Sequence, residues 1–489
     1  VTRSNLVGGE MLNWSDLHPA DARPACTGAA ATALLTAALQ PDDAVLIAGP
    51  HAAELITAVA AAVTSVDLLV RSAPDAEELA EQLETTKGEV FCGSLDRFAA
   101  DEPGGAAGGA AGGAAGGVAG GAVAGDGYHG YDVIVALDGL DRLVGPDTAG
   151  FSWADGLERL LGRLRPGGRL LLGAENAFGF ERLIQPDITA ALPRDEDWAR
   201  DVTDRAPAGL KPLQAALHDA GVAVTQTYAV FPALVQADVA LTSVDGFAAV
   251  VAARAVATRN EGPTLMDPYR VVLDAAAAGL ALELAPAWYF VIGTETPAVL
   301  PEESVPGGDG VLLEEHLLTA LRCDDQAELR RVIPEYVAWL GAGGAGSPDN
   351  VIRDGSSYRL FGHAQELDVV EHLTRFARRA LESGSRQPWP AAADPHALTA
   401  RLASMAGITV PEQEFTPDEV VRPRGSAEQL TTVARLADEL AHASARAILF
   451  EGTVSGIRRS RPYRVGHAVM NPARVIRRRL KRVLKKVRR

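Results

Sequence analysis

The sequence predicts an α/β fold, a doubly wound and mostly parallel sheet with helices on both faces. Short apolar runs of strand length alternate with helix-length segments from about residue 28 to residue 250. The runs are apolar throughout, as strands buried on both faces are, and glycine and proline punctuate the joins. Residues 260–420 predict a second, α+β domain. Residues 426–489 predict a helical segment with a basic tail, and residues 1–27 read as a polar lead-in.

Residues 29–39 predict the first helix. Residues 44–49 (AVLIAG) are the first strand, 52–63 the next helix and 66–70 (VDLLV) the second strand. Residues 74–84 are helical, and 89–93 (EVFCG) form the third strand. Residues 104–125 are a Gly/Ala repeat. Glycine at that density holds no regular element and alanine buries little area, so a flexible loop insertion is expected. Residues 131–137 (YDVIVAL) are the fourth strand. A helix over 153–163 is expected to stop at Pro166-Gly167-Gly168, ahead of a fifth strand over 169–173. A helix over 210–220 and strands near 222–228 and 237–242 complete the domain. In the second region, short strands at 288–292 and 358–361 mix with helices at 312–321 and 366–383, and residues 426–450 are helical.

Composition narrows the function. At 47% hydrophobic and 22% charged, the 489 residues have the make-up of an ordinary globular protein. Cys26, Cys92 and Cys323 are far apart with no CxxC, which excludes a disulfide framework; no metal site is expected. The first residues lack the form of a signal peptide, and no stretch of about 18 uncharged apolar residues exists to span a membrane. A cytoplasmic location is expected. The net charge of −17 is unevenly spread, since residues 458–489 hold 14 basic residues and no acidic one. Over residues 471–489 apolar positions recur every three or four residues among Arg and Lys. That pattern predicts an amphipathic basic helix suited to an anionic membrane surface, with the protein's own acidic body as the alternative partner. The acidic body and the lack of aromatic stacking residues in the tail argue against nucleic acid.

The fourth-strand segment YDVIVALDGLDRL, followed at 161–176 by LGRLRPGGRLLLGAEN, is similar to class I S-adenosylmethionine-dependent methyltransferases, whose fourth strand and PGG segment have this form. The resemblance spans residues 28–245. It implies a Rossmann-like methyltransferase fold with S-adenosylmethionine lying across the carboxyl ends of the strands, at the point where strand order reverses. The residues it places around that cofactor are Gly49, His51, Arg71, Ser94, Asp96 and Asp138. The family's first loop has an acid, one residue, then GxGxG; here those positions are Ile47, Gly49, His51 and Ala53. The family's ribose-binding acid at the end of the second strand is here Arg71, which carries only donors and suits a phosphate or carboxylate instead. Ser94 and Asp96 match the loop that meets the adenine, and Asp138 ends the fourth strand. His51, Glu175 and Asn176 fall near the same pocket, as acceptor contacts or as loop and turn residues, and none stands out as a general base.

Residues 173–183 (GAENAFGFERL) and 460–469 (SRPYRVGHAV) resemble segments of methyltransferase-like proteins found with bacterial surface-polysaccharide glycosyltransferases. That resemblance implies methyl transfer to a glycan or another small-molecule acceptor at the inner face of the membrane, with glycosyltransferase partners. The departures at Ile47, His51, Ala53 and Arg71 point to an alternative, a non-catalytic scaffold of the same fold that has lost its cofactor. Residues 348–363 (PDNVIRDGSSYRLFGH) resemble the hairpin of aminoglycoside-phosphotransferase-like kinases, with Asn350 at the metal-binding asparagine. Gly362 or His363 stands where that family has its aspartate, so a plain β-hairpin is expected.

Overall fold

A computed structural model describes residues 4–18, 23–83, 87–98, 130–148, 150–185, 205–260, 264–385, 388–389, 394–411, 421–463 and 465. The Gly/Ala repeat and the basic stretch 471–489 lie outside the described residues. The chain divides into two compact units, Val1–Ser426 and Ala427–Arg489.

In chain order the first unit opens with β1 (Asn5–Gly8), α1 (Ala29–Ala38), β2 (Ala44–Ala48), α2 (Ala53–Ala62), β3 (Ser65–Val70), α3 (Ala73–Gln82), β4 (Val90–Gly93) and β5 (Tyr131–Ala136). Then come α4 (Trp153–Leu161), β6 (Leu164–Glu175), α5 (Phe180–Ile184), α6 (Leu210–Asp219), β7 (Val224–Pro232), β8 (Ala237–Leu241), α7 (Gly246–Arg259), α8 (Pro268–Ala277), β9 (Ala287–Ile292) and β10 (Val299–Leu300). A smaller module follows: β11 (Val311–Leu312), α9 (Leu313–Arg322), α10 (Gln326–Gly341), β12 (Val351–Asp354), β13 (Ser357–Leu360), α11 (Val369–Glu382) and α12 (Pro395–Met405). The last described element is α13 (Ser426–Arg459).

Ten strands make one sheet in the order β1-β4-β3-β2-β5-β6-β9-β7-β8-β10. The chain winds outward from β2 through β3 to β4, then restarts beside β2 with β5 and β6, all in parallel. β9 lies between β6 and β7 and runs antiparallel to both, and β8 in turn runs antiparallel to β7 and β10. This is the Rossmann-like methyltransferase fold that the sequence predicts. Side chains alternate across the sheet: Leu46 and Ala48 belong to the core that also takes in α4, α6, α7 and α8, whereas Val45 and Ile47 belong to the one that takes in α1, α2 and α3. Both faces are therefore covered, as a central parallel sheet requires.

Three local findings differ from the sequence reading. The sheet does not close near residue 250, because β9 returns from the second region to fill the gap between β6 and β7. AWYFVI reads as an isolated short strand since nothing local reveals its distant partners. Pro166-Gly167-Gly168 does not end the helix: α4 stops at Leu161, and the three residues lie in a bulge inside β6. Tyr131 pairs with Leu164 and Val133 with Arg169, and Gly167 sits in the bulge at φ +79°. Finally, the N-terminal lead-in is part of the fold, since β1 pairs with β4 and the residues after it cross the carboxyl ends of the strands.

The smaller module packs α9–α12 around Leu317, Ile333, Tyr336, Leu373 and Phe376. β12 and β13 form an antiparallel hairpin. Asn350 is buried and donates to the His363 carbonyl at 2.6 Å, a structural use of the side chain.

Candidate functional site

The crevice where strand order reverses lies at the carboxyl ends of β2 and β5, with β3 and β4 beside it. Gly49 follows β2 at φ +92°, a conformation that suits glycine, and a Cβ there would stand 3.7 Å from Leu143 and 3.8 Å from Asp138. Arg71 follows β3, Ser94 follows β4 and Asp138 follows β5. The fold thus gathers all six residues that the resemblance nominates. It then engages most of them with each other and with the N-terminal segment.

Arg71 is 3% exposed. Its Nε donates to Asp16 Oδ2 and its Nη2 to Asp16 Oδ1, both at 2.8 Å, and its Nη1 donates to the Val144 carbonyl at 2.8 Å. This fork-to-fork pairing uses the planar geometry that distinguishes arginine from lysine. Neighbouring bonds fix the partner strap. Met11 N donates to the Arg71 carbonyl at 2.7 Å, and Ser72 Oγ donates to the Trp14 carbonyl at 2.6 Å. Asp16 N donates to Asp75 Oδ2 at 2.7 Å.

Asp138 is held the same way. Arg142 donates from Nε to its Oδ2 at 2.8 Å and from Nη2 to its Oδ1 at 2.6 Å. Arg142 also donates to the carbonyls of Arg23 and Pro24 at 2.7 and 2.8 Å, which ties the strap down a second time. Arg23 reaches Asp138 Oδ1 at 3.4 Å and Glu175 at 3.1 Å. Burial pushes the Asp138 carboxyl upward, yet Arg142 and Arg23 more than offset it and hold it below the ordinary carboxylate value.

The remaining positions are engaged more locally. Ser94 Oγ donates to Asp96 and is 3.0 Å from Thr148 Oγ1; Thr148 also donates to Asp96 at 3.1 Å. Asn176 donates to the Glu283 and Ala285 carbonyls at 2.9 and 2.8 Å and shapes its turn, while Glu175 stays half exposed beside Arg23. His51 is fully buried, with Nδ1 3.0 Å from the Gly49 carbonyl. Burial lowers its pKa, so the ring is neutral near pH 7. The Gly49 contact places the proton on Nδ1, and Nε2 has no hydrogen-bond partner in the structure. Burial pushes the nearby Cys26 thiol up to about 12, so it is protonated and inert as a nucleophile.

S-adenosylmethionine offers its ribose hydroxyls as donors at the position after β3. The group found there is a buried guanidinium, which has no acceptor and whose three nitrogens all donate to Asp16 or to the Val144 carbonyl. The loop after β2 keeps one of its three glycines. The residues present do not fit that cofactor. Asp16, Arg23 and Arg142 were not singled out from the sequence. Only the four-residue spacing of Asp138 and Arg142 hinted at a pair; the partners from the strap are more than fifty residues away in sequence.

A second concavity of about 840 Å³ lies between α7 and α8 on one side and α9 and α11 on the other. Its charges are largely engaged with one another. Arg379 pairs with Asp267 at 3.1 Å and Glu314 at 3.7 Å, and Arg375 pairs with Asp349 at 2.9 Å. Burial pushes the Glu314 carboxyl up to about 7 despite Arg379. Among the described residues, no group of three or more His, Cys, Asp or Glu is placed to hold a metal ion, and no helix is long and apolar enough to cross a membrane.

No protein-family model matches the chain, and no curated protein matches it. Several solved structures share the fold remotely. A SAM-dependent methyltransferase from Geobacter sulfurreducens in complex with S-adenosyl-L-homocysteine aligns at 17% identity and TM-score 0.25, over 55% of this chain and 90% of its own. The cyclopropane synthase MmaA2 from Mycobacterium tuberculosis aligns at 12% identity and TM-score 0.28, over 54% and 82%. The [4+2]-cyclase SpnF aligns at 13% identity and TM-score 0.28, over 54% and 80%. The fold stands on the strand order and not on these likenesses.

Proposed function

We propose that this chain is a non-catalytic protein of methyltransferase fold, a scaffold whose former cofactor crevice has become a structural lock. The buried Arg71–Asp16 pair carries that reading. It puts a donor-only group where the cofactor needs an acceptor, and the same pair staples the N-terminal strap across the crevice. Breaking it to admit a ligand leaves one charge buried and unpaired, which costs about 3–5 kcal/mol.

For the setting, support comes from the sequence. The segments at 173–183 and 460–469 resemble proteins of surface-polysaccharide clusters, and the basic residues of 471–489 suit an anionic membrane surface. The proposed task is therefore to organise glycan-assembly enzymes at the inner membrane face. Methyl transfer to a glycan is the rival reading, favoured by one observation: His51 Nε2 is an acceptor at the crevice that no protein group uses.

Isothermal titration of the full chain with S-adenosylmethionine and with S-adenosylhomocysteine tests the choice. No binding is expected up to millimolar ligand. Dissociation constants in the micromolar range for either ligand would overturn the non-catalytic reading.

A further inference from the structure

α13 is one continuous helix of 34 residues, about 51 Å long at 1.5 Å per residue. Its large apolar side chains are not buried. Val433, Leu436, Leu440, Phe450, Val454 and Ile457 are 44–69% exposed. Their order has a definite period. With Ala443 and Ala447 between them, they step by three and four residues alternately from Val433 to Ile457 without a polar interruption. That is a repeat of seven residues, with Val433, Leu440, Ala447 and Val454 at position a and Leu436, Ala443, Phe450 and Ile457 at position d. An α-helix packing against a globular surface follows a period of 3.6. A sustained period of 3.5 turns the apolar seam into a left-handed supercoil around another helix of the same repeat.

We propose that α13 pairs in parallel with α13 of a second copy of this chain. Flanking charges support that occupant. In a parallel pair, position g of one helix meets position e of the other, five residues further on. Arg446 occupies a g position and Glu451 the e position it faces, so symmetry supplies this attraction twice. The other such combinations from Thr432 to Arg458 are Thr432 with Ala437, Glu439 with Ser444 and Thr453 with Arg458, and none sets like charges together. Alanine at Ala443 and Ala447 lets the two helices approach closely at mid-length, with larger side chains at both ends. The pairing is independent of whether the crevice binds a cofactor, and it gives a scaffold two equivalent copies of every surface.

Sedimentation velocity on the full chain at tens of micromolar is the test. The expected species has twice the 51.2 kDa chain mass. The Leu440→Glu/Phe450→Glu variant sediments as a monomer, while Leu449→Glu, outside the seam, remains a dimer. Arg446→Glu weakens the dimer at least several-fold, and adding Glu451→Arg restores it. In a Cys323→Ser background, Ala447→Cys cross-links the two copies under mild oxidation, because parallel a positions meet their own equivalents. A monomeric wild-type chain at this concentration overturns the proposal. So does a dimer that survives Leu440→Glu/Phe450→Glu, or a dimer whose Ala447→Cys form never cross-links.

Discussion

Two buried carboxylates, Asp138 at the strand-end crevice and Glu314 in the cavity beside α11, face arginines and yet behave in opposite ways. Asp138 receives two short bonds from Arg142 with Arg23 close by, and is held below the usual carboxylate range. Glu314 has Arg379 at 3.7 Å, shared with Asp267, and burial pushes it up to about 7. Burial is severe at both sites, so geometry decides the outcome. A bidentate guanidinium offsets the loss of water; a distant, shared one does not. The crevice is accordingly a closed lock, and the cavity is a soft joint that responds to pH.

The two sites must also carry opposite pH signatures. Asp138 has a lowered pKa, so its contribution to stability is present above the unfolded value of 3.8 and is lost as pH falls through the folded one. Glu314 has a raised pKa, so its contribution is full below 4.5 and is lost as pH rises through about 7.

The largest expected effect belongs to the lock. Arg71→Leu strands Asp16 in the interior and costs about 3–5 kcal/mol in urea unfolding, whereas the double variant Asp16→Leu/Arg71→Leu recovers most of that loss. A single substitution costing under about 1 kcal/mol would show that the strap does not seal the crevice. Next comes the joint. Glu314→Gln removes a group whose ionisation opposes folding, so the variant loses the decline in stability between pH 4.5 and 7. A carboxyl raised from 4.5 to about 7 corresponds to about 3 kcal/mol across that window. A wild-type profile already flat there would abolish the contrast between the two carboxylates. The smallest effect is at Gly49→Ala. A Cβ finds room there, 3.7 Å from Leu143, so only backbone strain at φ +92° remains, about 1–2 kcal/mol by thermal unfolding. A larger cost would mean that the crevice floor is packed more tightly than the lock above it.

Much of the sheet was legible because its strands are short, wholly apolar and separated by helices with clear ends. β2, β3, β4 and β5 fall within a residue or two of the sequence reading. β9 reads as a strand, but its place in the sheet does not, since that depends on distant partners, β6 more than a hundred residues back and β7 more than fifty. For the site, the donor-only character of Arg71 is legible in the sequence, and its position beside the crevice follows from the fold. Its actual partner was not legible, because nothing in WSD marks Asp16 as one half of a buried pair. The same holds for α13: its helicity was read, and its exposure is known only from the structure.

The late arrival of β9 has a consequence for how the chain is made. β6 is complete at residue 175 and β7 at residue 232, but the strand that belongs between them ends at residue 292. At 5–20 residues per second, about 120 residues separate the first of these from the last, on the order of 10 s of synthesis. During that interval the nascent sheet on the ribosome carries an open slot flanked by two apolar strand edges, the kind of surface that chaperones bind and that other chains can invade. A fragment cut near residue 250 keeps that slot permanently, so it yields an aggregating, interrupted sheet with unpaired edges and not a minimal domain.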